Sequence, residues 1–186
     1  MNTINKLRKF YELKKIERAC SVAQRKESSA EHSWSSLILA DYFLSTMKKQ
    51  KIDRVKVYEL LMYHDVVEIE CGDVCISKEE QHKKSKESEQ KAMVKLKKKL
   101  PDPLSQKFAD LFIEFEEGRT VEARFAKAVD ALDAEIHELD YKQDWVGWTE
   151  EFLRKKKQHK FKEFPELEAM FEKTIAFCRK NGYFEQ

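Results

Sequence analysis

Apolar residues recur every three or four positions along most of this chain, which is the spacing of amphipathic helices. The pattern predicts a first helix whose apolar positions are Ile4, Leu7, Phe10, Tyr11 and Leu13. The C-terminal part is rich in large apolar residues and predicts packing helices, the last of which starts near Pro165. These residues are Trp145, Trp148, Phe152, Phe161, Phe164, Leu167, Phe171 and Phe177.

Two further helices can be placed by their start signals. Ser28 and Glu31 form an S-x-x-E pair ahead of an apolar stretch, so a helix is predicted to begin near Ser28. Asp53 is a good N-cap for a helix that runs through His64. The chain is then predicted to turn near Gly72.

The middle of the chain is strongly charged. Residues 78–100 carry charges of both signs, which favours a solvated helix or a mobile lid. Their lysine-rich end could meet an anionic substrate, but the segment lacks the interleaved aromatic residues on which nucleic-acid bases stack. Two prolines close the segment. Residues 104–117 and 120–141 predict two further helices, separated by Gly118.

Composition supports an all-α fold. The chain has 186 residues, of which only four are Gly and three are Pro, while 41% are hydrophobic and 38% are charged. Long helices joined by short loops have this composition, and the length suits one domain with a sizeable core. We therefore predict a single all-α domain over residues 1–186.

Charge and cysteine content limit the function classes. The 36 basic and 34 acidic residues leave a net charge of +2, so no global field indicates nucleic acid or a membrane as partner. No apolar run approaches the roughly 20 residues that cross a bilayer, and we expect a cytoplasmic protein. The four cysteines are expected to be reduced and mainly structural: Cys20, Cys71, Cys75 and Cys178.

Four potential metal ligands lie within the predicted helices, namely His32, His64, Asp65 and Asp130. A mixed imidazole and carboxylate shell suits a divalent metal that keeps positions open for water and substrate. His64 and Asp65 are neighbours, so their side chains diverge by roughly 100° on a helix and can share a metal only near a helix end. Taken alone, His32 could equally be a helix-start histidine that hydrogen-bonds locally.

Further acids surround this set. Glu68 follows His64 by four residues and so shares its helical face. Asp73 comes just after a glycine, where a loop carboxylate could enter the same pocket. Alone, each of these acids would usually be solvated. Asp133 lies three residues after Asp130 and is an alternative to it as the ligand.

Three blocks carry a resemblance to a known family: ESSAEHSW at 27–34, LLMYHDVVEIECGDV at 60–74 and AKAVDALDAEIHEL at 126–139. In this order and spacing the chain resembles the HD-domain metal-dependent phosphohydrolases, and within them the branch of 5'-deoxynucleotidases and oxetanocin-type nucleotide phosphohydrolases. The resemblance covers about residues 13–141. It implies a helical bundle with the metal site between central helices, followed by packing helices over about residues 142–186.

The resemblance also implies residue roles. Its metal ligands would be His32, His64, Asp65 and Asp130, and its catalytic acids would be Glu68 and Asp73. Its substrate-binding residues would be Arg18, Asp65, Asp73, Val74, Cys75 and Ile76. The cofactor would be a divalent ion, which could be Mn, Co, Fe, Ni, Zn or Mg, and the protein would be a homodimer.

The implied activity is hydrolysis of (deoxy)nucleoside 5'-monophosphates by a metal-activated water. Arg18 matches the family's phosphate-orienting arginine, but Ala19 and Cys20 replace the aromatic element that follows it, which leaves deoxyribose selectivity open. The alternatives are another phosphate ester, such as a cyclic nucleotide, a nucleoside triphosphate or an alarmone, and a non-catalytic module that binds a nucleotide or a protein. We interpret His82, His137 and His159 as structural or surface groups.

Overall fold

Helices make up most of the chain, which confirms the all-α prediction. The computed structural model describes residues 2–47, 51–74 and 79–185, and side chains are not described for residues 79–86. The helices are α1 Asn2–Phe10, α2 Ser29–Thr46, α3 Arg54–Tyr63, α4 Glu68–Cys71, α5 Glu79–Lys97, α6 Leu104–Glu117, α7 Val121–His137, α8 Glu150–Lys157 and α9 Pro165–Lys180. The 3₁₀ turns are Tyr11–Lys15, His64–Val67, Glu138–Asp140, Lys142–Trp145 and Gln158–Lys160.

A small antiparallel hairpin precedes α2 and was not predicted from the sequence. Its strands are β1 Glu17–Val22 and β2 Arg25–Ser28, with Val22 paired to Arg25 across the turn. The turn contains Ala23 at a φ of 51°, where two-residue hairpin turns usually carry Asn or Gly. Because the usual turn residues are missing, the sequence carried no hairpin signal.

The predicted start of α2 is confirmed in detail. Ser28 is the N-cap, and its Oγ accepts a hydrogen bond from the Glu31 backbone N–H at 3.3 Å. The Glu31 carboxylate accepts one from the Ser28 backbone N–H at 2.9 Å, which completes the capping box. His32 therefore lies in the first turn of α2, as predicted.

The end of α3 differs from the prediction. Asp53 caps the helix by accepting from the Lys56 backbone N–H at 3.1 Å, as expected. The helix stops at Tyr63, however, so His64 and Asp65 lie in a 3₁₀ turn rather than on the helix. The predicted turn is found at Gly72, whose φ of 76° is readily adopted only by glycine.

The core lies where α2, α3, α6 and α7 pack together. α7 is central to it, and Phe125, Val129 and Leu132 on this helix are fully buried. The predicted C-terminal packing helices are present: α9 starts at Pro165, and Phe161, Phe164, Leu167 and Phe171 are fully buried.

Two other segments complete the fold. The apolar face predicted for α1 stays largely uncovered, with Ile4 and Tyr11 59% and 62% exposed while Leu13 is buried. The charged segment forms α5, as one of the two predicted alternatives, and contacts α4 and α6. Within the described part of the chain, no helix combines the length and apolar character needed to cross a membrane.

Candidate metal centre

Three elements bring imidazole and carboxylate groups to one point. His32 comes from the first turn of α2, His64 from the 3₁₀ turn after α3, and Asp130 from the middle of α7. Their ligand atoms all lie within 4.8 Å of one another. Asp130 Oδ1 is 3.0 Å from His32 Nε2 and 3.8 Å from His64 Nε2. These groups could together hold a divalent metal.

Asp65 lies beside this group, next to His64 in the tight turn. Its Oδ1 is 3.1 Å from His64 Nε2, and its Oδ2 is 4.0 Å from His32 Nε2. On a regular helix the side chains of adjacent residues would diverge. In the 3₁₀ turn that begins at His64, by contrast, the side chains of His64 and Asp65 lie close together.

The hydrogen bonds around His64 and Asp65 leave donor atoms available for a metal. His64 Nδ1 is 2.8 Å from the Leu61 carbonyl oxygen, so Nδ1 carries the proton and donates, which leaves the Nε2 lone pair free. His64 Nε2 and Asp65 Oδ2 are buried without a hydrogen-bond partner among the described residues. Buried polar atoms are normally satisfied, so two such atoms beside each other fit ligation of a cation.

Asp133 fixes the orientation of His32. Its Oδ2 is 2.9 Å from His32 Nδ1 and accepts a hydrogen bond from Ser35 Oγ at 2.6 Å. Burial and the charge of Arg18 act to lower the pKa of His32, but hydrogen bonds to Asp130 and Asp133 raise it to about 10. A metal would have to displace the Nε2 proton. Asp133 thus supports a candidate ligand, whereas the sequence indicated it only as an alternative to Asp130.

Asp130 is held in its charged form. Burial acts to raise its pKa, but the hydrogen bond with His32 and the positive charges of His32 and Lys160 bring it well below the usual range. A carboxylate that stays ionised at low pH is available as a ligand over the whole neutral range.

Two further acids, Glu68 and Asp73, lie beside these candidate ligands. Burial, reinforced by the negative charges of Asp65 and Asp73, raises the pKa of Glu68 well above its usual value. Glu68 Oε2 is also buried without a hydrogen-bond partner in the described part of the chain. Burial likewise raises the pKa of Asp73. A raised pKa makes a carboxylate a stronger proton acceptor than a solvated acid.

Arg18 reaches the site from strand β1. Its Nε donates to Glu27 Oε2 at 3.1 Å, and its Nη1 lies 3.5 Å from Asp65 Oδ2 and 4.0 Å from Asp73 Oδ1. Glu27 is buried at the end of β2. It positions Arg18, a role that sequence reasoning missed because the hairpin joining the two residues was not predicted.

A cavity of about 460 Å³ opens beside these groups. Phe112 and Phe115 form part of its wall, and His159, expected to be structural or at the surface, also lines it. Most predicted site residues line this cavity: Arg18, His64, Asp65, Glu68, Asp73, Val74 and Asp130. His32 is fully buried behind them. Cys75 and Ile76, two of the predicted substrate-binding residues, lie outside the described residues, as does the side chain of His82.

A second cavity of about 140 Å³ adjoins the first and shares several lining residues with it, including Arg18 and Asp73. Ala19 and Cys20 line this smaller cavity, and they stand where the family that the chain resembles has an aromatic element. Trp148, an aromatic residue from a distant part of the chain, lines it too.

Comparisons with known proteins agree with this arrangement. A family model described as HD domain matches residues 10–168. A 5'-deoxynucleotidase HDDC2 of Xenopus laevis is 30% identical over 124 residues, which are 64% of this chain and 58% of that protein. A protein of the same name from Homo sapiens is 28% identical over 142 residues, 73% of this chain and 66% of that protein. The chain thus spans less than two thirds of the length of these relatives.

A solved structure is similar over almost the whole chain. It is the crystal structure of a predicted metal-dependent phosphohydrolase from Magnetospirillum magnetotacticum MS-1, with a TM-score of 0.85 and 26% sequence identity. The match covers 98% of this chain and 96% of that one. With a family model that matches residues 10–168 and a neighbour of this similarity, the chain belongs to the HD domain family.

Proposed function

We propose that this chain is a metal-dependent phosphohydrolase that converts (deoxy)nucleoside 5'-monophosphates to nucleoside and phosphate. One observation carries the proposal: three metal-capable donors lie within 4.8 Å of one another beside a cavity that also holds Glu68, Asp73 and Arg18. The names of the relatives, which are 5'-deoxynucleotidases, support the choice of substrate class.

His32, His64, Asp65 and Asp130 would hold the divalent ion. When bound, it would polarise a phosphoryl oxygen and acidify water, which is the chemistry that such ions supply in hydrolases. The side chains of the protein would position the ion and the substrate and transfer the protons. His32 and His64 are held in place by Asp133 and the Leu61 carbonyl oxygen, so little reorganisation is needed for them to act as ligands.

Glu68 would act as the general base. Its buried Oε2 has no hydrogen-bond partner among the described groups, and its raised pKa makes it a stronger proton acceptor than a solvated carboxylate. The attacking water would lose its proton to Glu68 as the oxygen bonds to phosphorus. No covalent phosphoenzyme is required in this scheme.

Arg18 and Asp73 would serve the phosphate and the leaving group. A guanidinium held by Glu27 keeps a fixed orientation, which suits recognition of a phosphate. Asp73, whose pKa burial raises, would give a proton to the O5' oxygen as its bond to phosphorus breaks. We propose Val74, Cys75 and Ile76 as further contacts for the substrate.

The test is phosphate release from a panel of ribo- and deoxyribonucleoside 5'-monophosphates by protein stripped of metal and resupplied with one ion at a time. We expect metal-dependent release that Asp65→Ala abolishes. Absence of release with every metal that demonstrably binds would refute the proposal and favour another phosphate ester or a non-catalytic module. The ratio of deoxy to ribo rates would measure the selectivity for the sugar.

Three other expectations stay predictions. They are a single domain over residues 1–186, a homodimer and a cytoplasmic location. Light scattering coupled to size-exclusion chromatography would test the dimer, because it measures mass independently of shape.

A further inference from the structure

Lys160 lies at the junction of the two cavities. It ends the 3₁₀ turn Gln158–Lys160, which directly follows α8, and it lines both the 460 Å³ cavity and the 140 Å³ cavity. It is close enough to Asp130 for its charge to act on that carboxylate. A cationic side chain from the C-terminal part of the chain therefore reaches the metal centre.

Other cations around these cavities are already engaged. Arg18 contacts three carboxylates, as described above. Lys127 donates to the carbonyl oxygens of Phe115 and Glu116 at 2.9 and 3.2 Å and pairs with the Glu116 carboxylate. Lys157, the last residue of α8, donates to the Ala131 carbonyl oxygen and pairs with Glu135.

Lys160 differs from these neighbours. Among the described residues, no hydrogen bond or ion pair engages its ammonium group, although the side chain is only partly exposed. Burial lowers the pKa of Lys160, and the positive charge of Lys157 acts in the same direction. A desolvated ammonium that lacks a bonded anion is stabilised by an anionic ligand that enters the cavity.

We propose that Lys160 binds the phosphate group of the substrate and thereby selects phosphate monoesters that carry two negative charges. This inference rests on the proposed function and adds a residue to its site. The carboxylates of Asp65 and Asp130, which line the cavity, would offset the charge of a bound divalent ion. The charge of Arg18 is largely offset by its own carboxylate partners, so Lys160 supplies the additional positive charge that a dianion needs.

The first test measures binding of inorganic phosphate by calorimetry to metal-supplied protein, which requires no turnover. We expect Lys160→Met to weaken phosphate binding by about 10- to 100-fold, the usual effect of losing a charge-assisted hydrogen bond. Lys160→Arg keeps the charge and should retain most of the affinity. Lys162→Met is the matched control, because Lys162 is exposed two residues away and lines neither cavity.

The second test separates this inference from the proposed function. In nucleotide hydrolysis, Lys160→Met should raise KM by the same factor while kcat changes less. If the wild-type protein releases no phosphate from any nucleotide, the proposed activity fails, yet weaker phosphate binding by Lys160→Met would still support the anion site. Wild-type phosphate affinity in Lys160→Met would overturn the inference. If Lys160→Met unfolds at a lower temperature than the wild-type protein, Lys160→Gln is used instead, and wild-type phosphate affinity in that variant would likewise overturn the inference.

Discussion

Replacing Asp133 with Asn tests one support of the proposed metal centre. Asp133 is buried, is not among the three clustered donors, and is 2.9 Å from His32 Nδ1. Asn has the same shape and can still accept a hydrogen bond from Nδ1 through its amide oxygen. The change therefore removes the negative charge behind the imidazole and leaves the packing nearly unchanged.

The expected magnitude follows from the role of such carboxylates. Groups that hydrogen-bond to a metal-ligating histidine typically contribute 10- to 100-fold to metal affinity, which is about 1.4 to 2.7 kcal/mol. His32 is fully buried, so water cannot replace the lost charge. We therefore expect Asp133→Asn to bind Co²⁺ or Mn²⁺ about 10- to 100-fold more weakly than the wild-type protein.

The assay is a titration of metal-stripped protein with Co²⁺, followed by visible absorption in competition with a chelator. Asp140→Asn is the control, because Asp140 is an exposed acid just beyond α7. Thermal unfolding without metal checks that both variants fold. Metal affinity of Asp133→Asn within twofold of wild type, with Asp140→Asn also unchanged, would refute the proposed supporting role of Asp133.

Three further predictions test other parts of the structure. Glu68→Gln should retain metal affinity and lower kcat by about 100- to 10,000-fold, as expected for loss of a general base; unchanged turnover would remove Glu68 from the mechanism. Ser28→Ala should lower the free energy of unfolding in urea by about 0.5–2 kcal/mol, because the capping box of α2 is lost; an unchanged midpoint would contradict this. Burial raises the pKa of Glu138 from 4.5 to about 6, so the folded state is progressively destabilised as pH rises from about 4.5 to 6. Glu138→Gln should remove that dependence and gain about 2 kcal/mol at pH 7, with no gain below pH 4, as measured by urea unfolding across pH; an equal gain at both pH values would point to packing instead.

Local chemistry determined much of the fold. The capping box at Ser28 and the N-cap at Asp53 depend on side chains within three residues of the backbone groups they satisfy, so the sequence alone indicates both helix starts. Proline at the start of α9 and glycine at residues 72 and 118 act through their own backbone conformations. Such signals need no knowledge of distant contacts.

Other features escaped sequence reasoning because local signals for them are absent. The hairpin turns through Ala23, which does not favour the required conformation, so pairing of the strands with each other and packing against α2 outweigh local preference. His64 and Asp65 leave the helix for a 3₁₀ turn. Nothing in their sequence distinguishes this from one more helical turn.

For the proposed metal centre, sequence and tertiary structure determined different features. The sequence determined which residue types could ligate an ion, because only a few side chains have the required donor atoms, and the spaced blocks indicated His32, His64, Asp65 and Asp130. Tertiary structure alone decided which groups support them. Asp133 meets His32 across 101 residues, and Lys160 enters from a turn after α8. Those contacts depend on how helices pack, and packing joins positions whose separation along the chain carries no signal.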